Sequence, residues 1–179
     1  MITHTTLYEV PEVSVLAVGK YSVREMVLTW QKFHNLWQTL SQFRTLFSDL
    51  TRGDEANFMR FITEPNSIWL EICEGETLAG IVCFTRLERI VDADAHILFI
   101  DRDLADKVPV CKAIVSWAFD NLPLQRISVQ TPFYYYATIR MVKEVGFKIE
   151  GEKRKAVLIK GRWANVCQLG ILRSEAKDK

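Results

Sequence analysis

One β-α-β unit in the middle of the chain constrains the fold more than any other feature. The run 95-AHILFI-100 has strand character, 108-VPVCKAIVSWAFDNL-122 is helical, and 125-QRISVQT-131 returns to strand. Pro109 falls in the first helical turn, where no amide donor is needed. Antiparallel pairs flank this unit. The stretches 67–73 and 77-TLAGIVCFTRLERIV-91 form a hairpin across Glu74-Gly75-Glu76. After a helix over 134-YYYATIRMVKEV-145, strands over 147–159 and 163–172 turn at Lys160-Gly161. Helical crossovers are too few for a doubly wound parallel fold. The expected class is α/β of the mixed, α+β kind: a mostly antiparallel central sheet with flanking helices.

The N-terminal third is read from its periodicity. The segment 5-TTLYEVPEVSVLAV-18 suits a strand or an extended arm. From Ser22 to Leu50, Val27, Trp30, Phe33, Leu36 or Trp37, Leu40, Phe43 and Phe47 recur at three- and four-residue steps, which predicts a long or broken helix. Ser22 and Glu25 have capping-box spacing at its start. Arg52-Gly53-Asp54 interrupts it, and 55-EANFMRFI-62 adds a short helix before a turn at Pro65-Asn66. The chain of 179 residues reads as one domain over 1–173, with a variable helical region at 22–62 and a polar tail at 174–179.

Bulk chemistry removes several classes of function. A formal net charge of +1 supplies no general attraction to nucleic acid or anionic membrane. No apolar run reaches the roughly 18–20 residues that span a bilayer. Cys73, Cys83, Cys111 and Cys167 lie far apart with no metal-ligand spacing, and read as buried free thiols. No secretory leader pattern opens the sequence, so a cytoplasmic location is expected.

The C-terminal half carries a resemblance. Thr138 on a helix is followed by Gly146-Phe147, Glu150-Gly151, Arg154, Gly161-Arg162-Trp163, Asn165 and Ile171-Leu172-x-x-Glu175. This pattern resembles the GCN5-related N-acetyltransferases, in particular the branch of ribosomal-protein alanine acetyltransferases, although Asn165 stands where that family more often has Asp. Physically these are structural positions: Gly146 ends a helix, Gly151 lets a strand bend, and Trp163 is expected to pin the last hairpin to a helix.

The resemblance implies a wedge between two splayed strands, 95–100 and 125–131, that admits acetyl-CoA. Backbone groups of Ile97, Leu98 and Phe99 would meet the pantetheine arm. The helix start at Lys107, Val108 and Val110, with Arg102, would face the pyrophosphate, where amides and the helix dipole hold anions. Tyr135 aligns with a cofactor-binding position at the start of the last helix. The family's loop has glycines here; 101-DRDLADKVPV-110 has none.

Amine acetylation needs a base for the amine and a proton donor for the leaving thiolate. His96 is the candidate base. Val142 occupies the family's usual tyrosine position and has no proton to give. The ribosomal-protein branch instead has a serine earlier on this helix, and because Thr138 aligns with it the resemblance implies Thr138 as donor. The acceptor would be a primary amine: a protein N-terminus, a lysine or a small amine. A homo-oligomer or partner protein could meet the aromatic 30–47 region. The rival reading is a domain that kept this fold for assembly after losing catalysis, as in bacteriophage virion components.

Overall fold

The computed structural model describes residues 16–43, 54–87, 91–101, 104, 107–159 and 161–177. Its centre is one eight-stranded sheet: β1 (Leu16–Val18), β2 (Tyr21–Glu25), β3 (Ile68–Glu74), β4 (Thr77–Thr85), β5 (Asp92–Phe99), β6 (Arg126–Pro132), β7 (Lys148–Ile159) and β8 (Arg162–Leu172). They lie in the order β1-β2-β3-β4-β5-β6-β8-β7. Every neighbouring pair is antiparallel except β5 and β6, the two strands of the β-α-β unit.

Helices cover both faces. α1 (Trp30–Leu40) and α2 (Glu55–Ile62) lie on one, and their Phe33, Leu36, Leu40, Phe58 and Ile62 bury against Trp69, Ile81 and Cys83. α3 (Lys107–Asn121) and α4 (Tyr136–Val145) cover the other, closing a core with Leu70, Val82, Phe84, Ala93, Ile127 and Leu169. Seven consecutive residues of β4, Ala79–Thr85, are therefore buried, giving a continuous apolar run instead of an alternation. Gly80 is required within it. A Cβ there would stand 2.8 Å from the Leu98 carbonyl oxygen, so any side chain would push β5 away.

The long helix expected from Ser22 is not formed. Tyr21 and Val23 are buried while Ser22 and Arg24 are not, a period of two, and this stretch pairs with β3 along its whole length. The helix starts at Trp30, where Thr29 Oγ1 accepts from the Lys32 amide at 3.1 Å. Phe47 and the 44–53 segment lie outside the described residues.

At the other end, the expected polar tail contributes α5 (Arg173–Lys177). Glu175, its third residue, accepts from the Leu172 amide at 3.0 Å, half of a capping box. The Arg173 guanidinium donates to the carbonyls of Leu122 and Leu124, each at 2.7 Å, and of Phe119. Through Phe119 and Leu122 it closes the C-terminal end of α3, where a cation complements the helix dipole.

Trp163 does not pin the hairpin to a helix: it is 63% exposed. It shares strand parity with Cys167 and Leu169, which the helices bury, but it stands four residues nearer the turn, opposite Leu158. An irregularity stands at Gly151, where a bend in β7 is expected, and a second one follows it. The register of β7 slips beside Gly151 and again between Lys153 and Val157. Asn165 holds the second slip, accepting from the Lys155 amide at 2.8 Å and donating to Glu152.

A polar clasp joins β5, β6 and β7 at one end. Ser128 Oγ donates to Asp92 at 2.9 Å, and Arg126 donates to both Glu150 oxygens. Hydrogen bonding from Arg126 holds the Glu150 carboxyl below the usual range. A depressed carboxylate contributes stability that is fully present above the unfolded value, about 4.3. That stability is lost as pH falls through the lower folded value. Arg126→Gln should therefore flatten the acid limb of stability below about pH 4.3, read from urea midpoints. The effect is modest at this exposed pair, and equal slopes in variant and parent would disprove the linkage.

Candidate active site

β5 and β6 are paired only at Asp92–Arg126, Ala93–Ile127 and Asp94–Ser128. Beyond that last rung each strand keeps to its other neighbour. β5 continues along β4 to Phe99, and β6 continues along β8 to Pro132. The two part, and a cleft of about 880 Å³ opens between them. Backbone groups of Ile97–Phe99 that face away from β4 consequently have no strand partner among the described residues.

The cleft collects most of the residues singled out from the sequence. His96, Ile97, Leu98, Phe99, Lys107, Val108, Tyr135 and Thr138 all line it. Val110 does not, because as the fourth residue of α3 it faces inward and is fully buried. Arg102 lies outside the described residues, as do Asp103, Ala105 and Asp106 of the glycine-free loop.

Strand alternation distributes the wall residues between the two faces of the sheet. Ala95, Ile97 and Phe99 pack toward α3 and α4, whereas Leu98 and Ile100 pack toward α1 and α2. His96 belongs to the second set: Phe61 of α2 meets its ring edge-on at 5.7 Å. Its Nε2 lies 3.4 Å from Thr85 Oγ1. Lys107 holds its Nζ 5.7 Å from the centre of the Phe99 ring, at the start of α3. Thr138 lies on α4. The Thr39 and Thr63 hydroxyls bond the carbonyl four residues back; Thr138 makes no such bond among the described residues. The Tyr135 hydroxyl is buried without a hydrogen-bond partner.

Several wall residues were not anticipated. Ala137, Arg140, Met141 and Glu144 form one stripe of α4, and Gln130, Lys153 and Ala156 complete the far side. The stripe follows from helical spacing once Thr138 is known to face the cleft. Lys153 had no such signal: after the slip beside Gly151 it stands opposite Val166, and its exposed Nζ donates to Gln130 at 3.0 Å. Lys107, Arg140 and Lys153 give the walls three lysine and arginine cations against one carboxylate, Glu144. Arg140 and Glu144 are 3.9 Å apart and both exposed, so they compensate each other weakly. A cleft with both polar and apolar walls, lined also by the first turn of α3 and by three cations, suits an anionic molecule carrying a long, neutral arm.

All four cysteines are buried free thiols, as expected. No group of metal-binding side chains occurs among the described residues. No described helix is long and apolar enough to cross a membrane.

No family model and no curated relative matches the chain. Solved structures do. The spermidine N-acetyltransferase of Vibrio cholerae in complex with CoA and spermine superposes with a TM-score of 0.72 at 18% identity, over 89% of this chain and 99% of that one. A chimera of that enzyme with hSSAT gives 0.75 at 17% identity, over 90% and 100%. The dodecameric structure of the Vibrio cholerae spermidine N-acetyltransferase in an intermediate state gives 0.71 at 17% identity, over 88% and 96%. At such identity the likeness speaks for architecture, and with the splayed β5 and β6 it establishes that the chain has the fold of the GCN5-related N-acetyltransferases.

Proposed function

We propose that this chain transfers the acetyl group of acetyl-CoA to a primary amine. The observation that carries the reading is the parting of β5 from β6 after Asp94–Ser128, with the start of α3 and three cations around the opening. In this reading the phosphates of the donor lie against the Lys107 and Val108 amides, assisted by Lys107, Arg140 and Lys153. The arm runs into the wedge along the unpaired backbone of Ile97–Phe99. One N–H of that stretch supports the carbonyl oxygen as negative charge develops on it.

His96 accepts the proton that the amine gives up, from the α1 and α2 side of the sheet. The nitrogen then bonds to the thioester carbonyl carbon, the carbon–sulfur bond breaks, and the sulfur leaves with the electron pair. Thr138 donates a hydrogen bond to that sulfur. The acceptor binds beside α1 and α2. Because the structural neighbours are spermidine N-acetyltransferases, polyamines stand first among the candidates, before lysine side chains and protein N-termini.

Acetyl-CoA at about a hundred times its dissociation constant should add roughly 2.7 kcal/mol of stability. For a domain of this length that raises the thermal midpoint by about 5–10 °C. Release of free CoA thiol upon adding an amine then identifies the acceptor. Absence of any midpoint change at millimolar acetyl-CoA would refute the reading.

A further inference from the structure

We propose that the wedge continues into an acyl pocket that accepts chains longer than acetyl, up to about butyryl; this rests on the transferase reading above. A second cavity, of about 40 Å³, lies under the sheet between α3 and α4. It shares Ile97 and Met141 with the cleft, so those two side chains form the partition between the spaces. Its position follows from the topology. Asp94–Ser128 is the last rung joining β5 and β6, and Ala95 and Val129, the next residue of each strand, both line the cavity. It therefore sits at the apex of the wedge, where a fully inserted arm ends. Ala95 is small, and that leaves volume which a larger residue would fill.

The remaining walls are apolar, among them Phe84, Ile114 and Val145. Water needs several polar partners and gains little here, while an alkyl chain loses nothing by entering. A group the size of one water needs about 10–15 Å³ of such space, so the cavity has room for about two methylene groups beyond the acetyl methyl. Met141 is unbranched and flexible, a side chain suited to a movable partition. Cys111 also borders the cavity, but burial pushes its thiol up to about 12. It stays protonated and does not compete with the amine for the acyl carbon. Bond changes are those of acetyl transfer: carbon–nitrogen forms, carbon–sulfur breaks, and the thiolate takes a proton.

The test compares CoA, acetyl-CoA, propionyl-CoA, butyryl-CoA and octanoyl-CoA by calorimetric titration, with amine acylation by each as a second readout. Each buried methylene adds about 0.8 kcal/mol, or roughly fourfold in affinity. Butyryl-CoA should then bind about 16-fold tighter than acetyl-CoA, and octanoyl-CoA should lose that gain. Ala95→Leu, which fills the cavity from its wall, brings the butyryl-to-acetyl ratio to about one. Met141→Ala, which opens the partition without crowding the core, raises it. A parent ratio at or below one, with acetyl-CoA bound, overturns the acyl pocket and leaves the transferase reading intact. Failure of CoA and every acyl-CoA to bind overturns both.

Discussion

If His96 is the base, His96→Ala should lower the turnover of amine acetylation by about 10²–10⁴-fold, while acetyl-CoA affinity should stay within about twofold, a small change beside that loss. The separation comes from strand alternation. His96 points toward α1 and α2, where Phe61 and Thr85 fix its ring. Two cations proposed to hold the donor sit elsewhere, Lys107 at the start of α3 and Arg140 on α4. A variant lacking the imidazole should thus keep the proposed donor site and lose proton removal. Stopped-assay kinetics with titration of acetyl-CoA onto the same preparation decide it. Turnover equal to that of the parent would clear His96 of the role and pass it to another group on the acceptor side.

Replacing both Arg24 and Lys32 by Met should cost about 3–5 kcal/mol, about 10 °C in thermal midpoint. Glu71 on β3 has a side chain only 6% exposed, and it accepts from Arg24 Nε and Lys32 Nζ, each at 2.6 Å. Without those donors its carboxylate is left buried and uncompensated. The converse change, Glu71→Gln, costs less, because the two cations are about a third exposed (37% and 34%) and can turn to water. Adding Glu71→Gln to the double variant should recover most of the loss, which separates a charge effect from lost packing. Lys32 is the third residue of α1, so this triad also fixes that helix to the sheet on the proposed acceptor side. A urea-derived loss below about 1 kcal/mol in the double variant would show that the triad is surface decoration.

Legibility in the sequence tracked how local each cause is. Gly146 was legible because a helix end needs a positive φ, here 127°. The 68–85 hairpin was legible because Gly75, at φ 58°, sits between two β-branched runs. The 22–50 reading went astray where two periods compete: Tyr21 and Val23 alternate, Ser22 and Glu25 mimic a cap, and pairing with β3 settles the matter. Trp163 was misplaced because parity tells which face a side chain points to, not how far a helix extends over that face. Of the cleft, the β5 residues, Lys107, Val108, Tyr135 and Thr138 were readable from the family resemblance. Arg140 and Met141 needed the helix's orientation, and Lys153 needed a register slip that no residue type announces.

The amino-acid order by itself determined the sequence of strands and most helices, the stops and turns at glycine, and the burial of the cysteines. These depend on backbone preferences and periodicity over a few residues. Tertiary structure alone decided where the expected parting of β5 and β6 begins, after Asp94–Ser128, that three cations converge on the gap, and that an apolar cavity lies at its apex. The reason is physical: β5 is held by β4 and β6 by β8, and a competition between sheet neighbours far apart in the chain leaves no local trace.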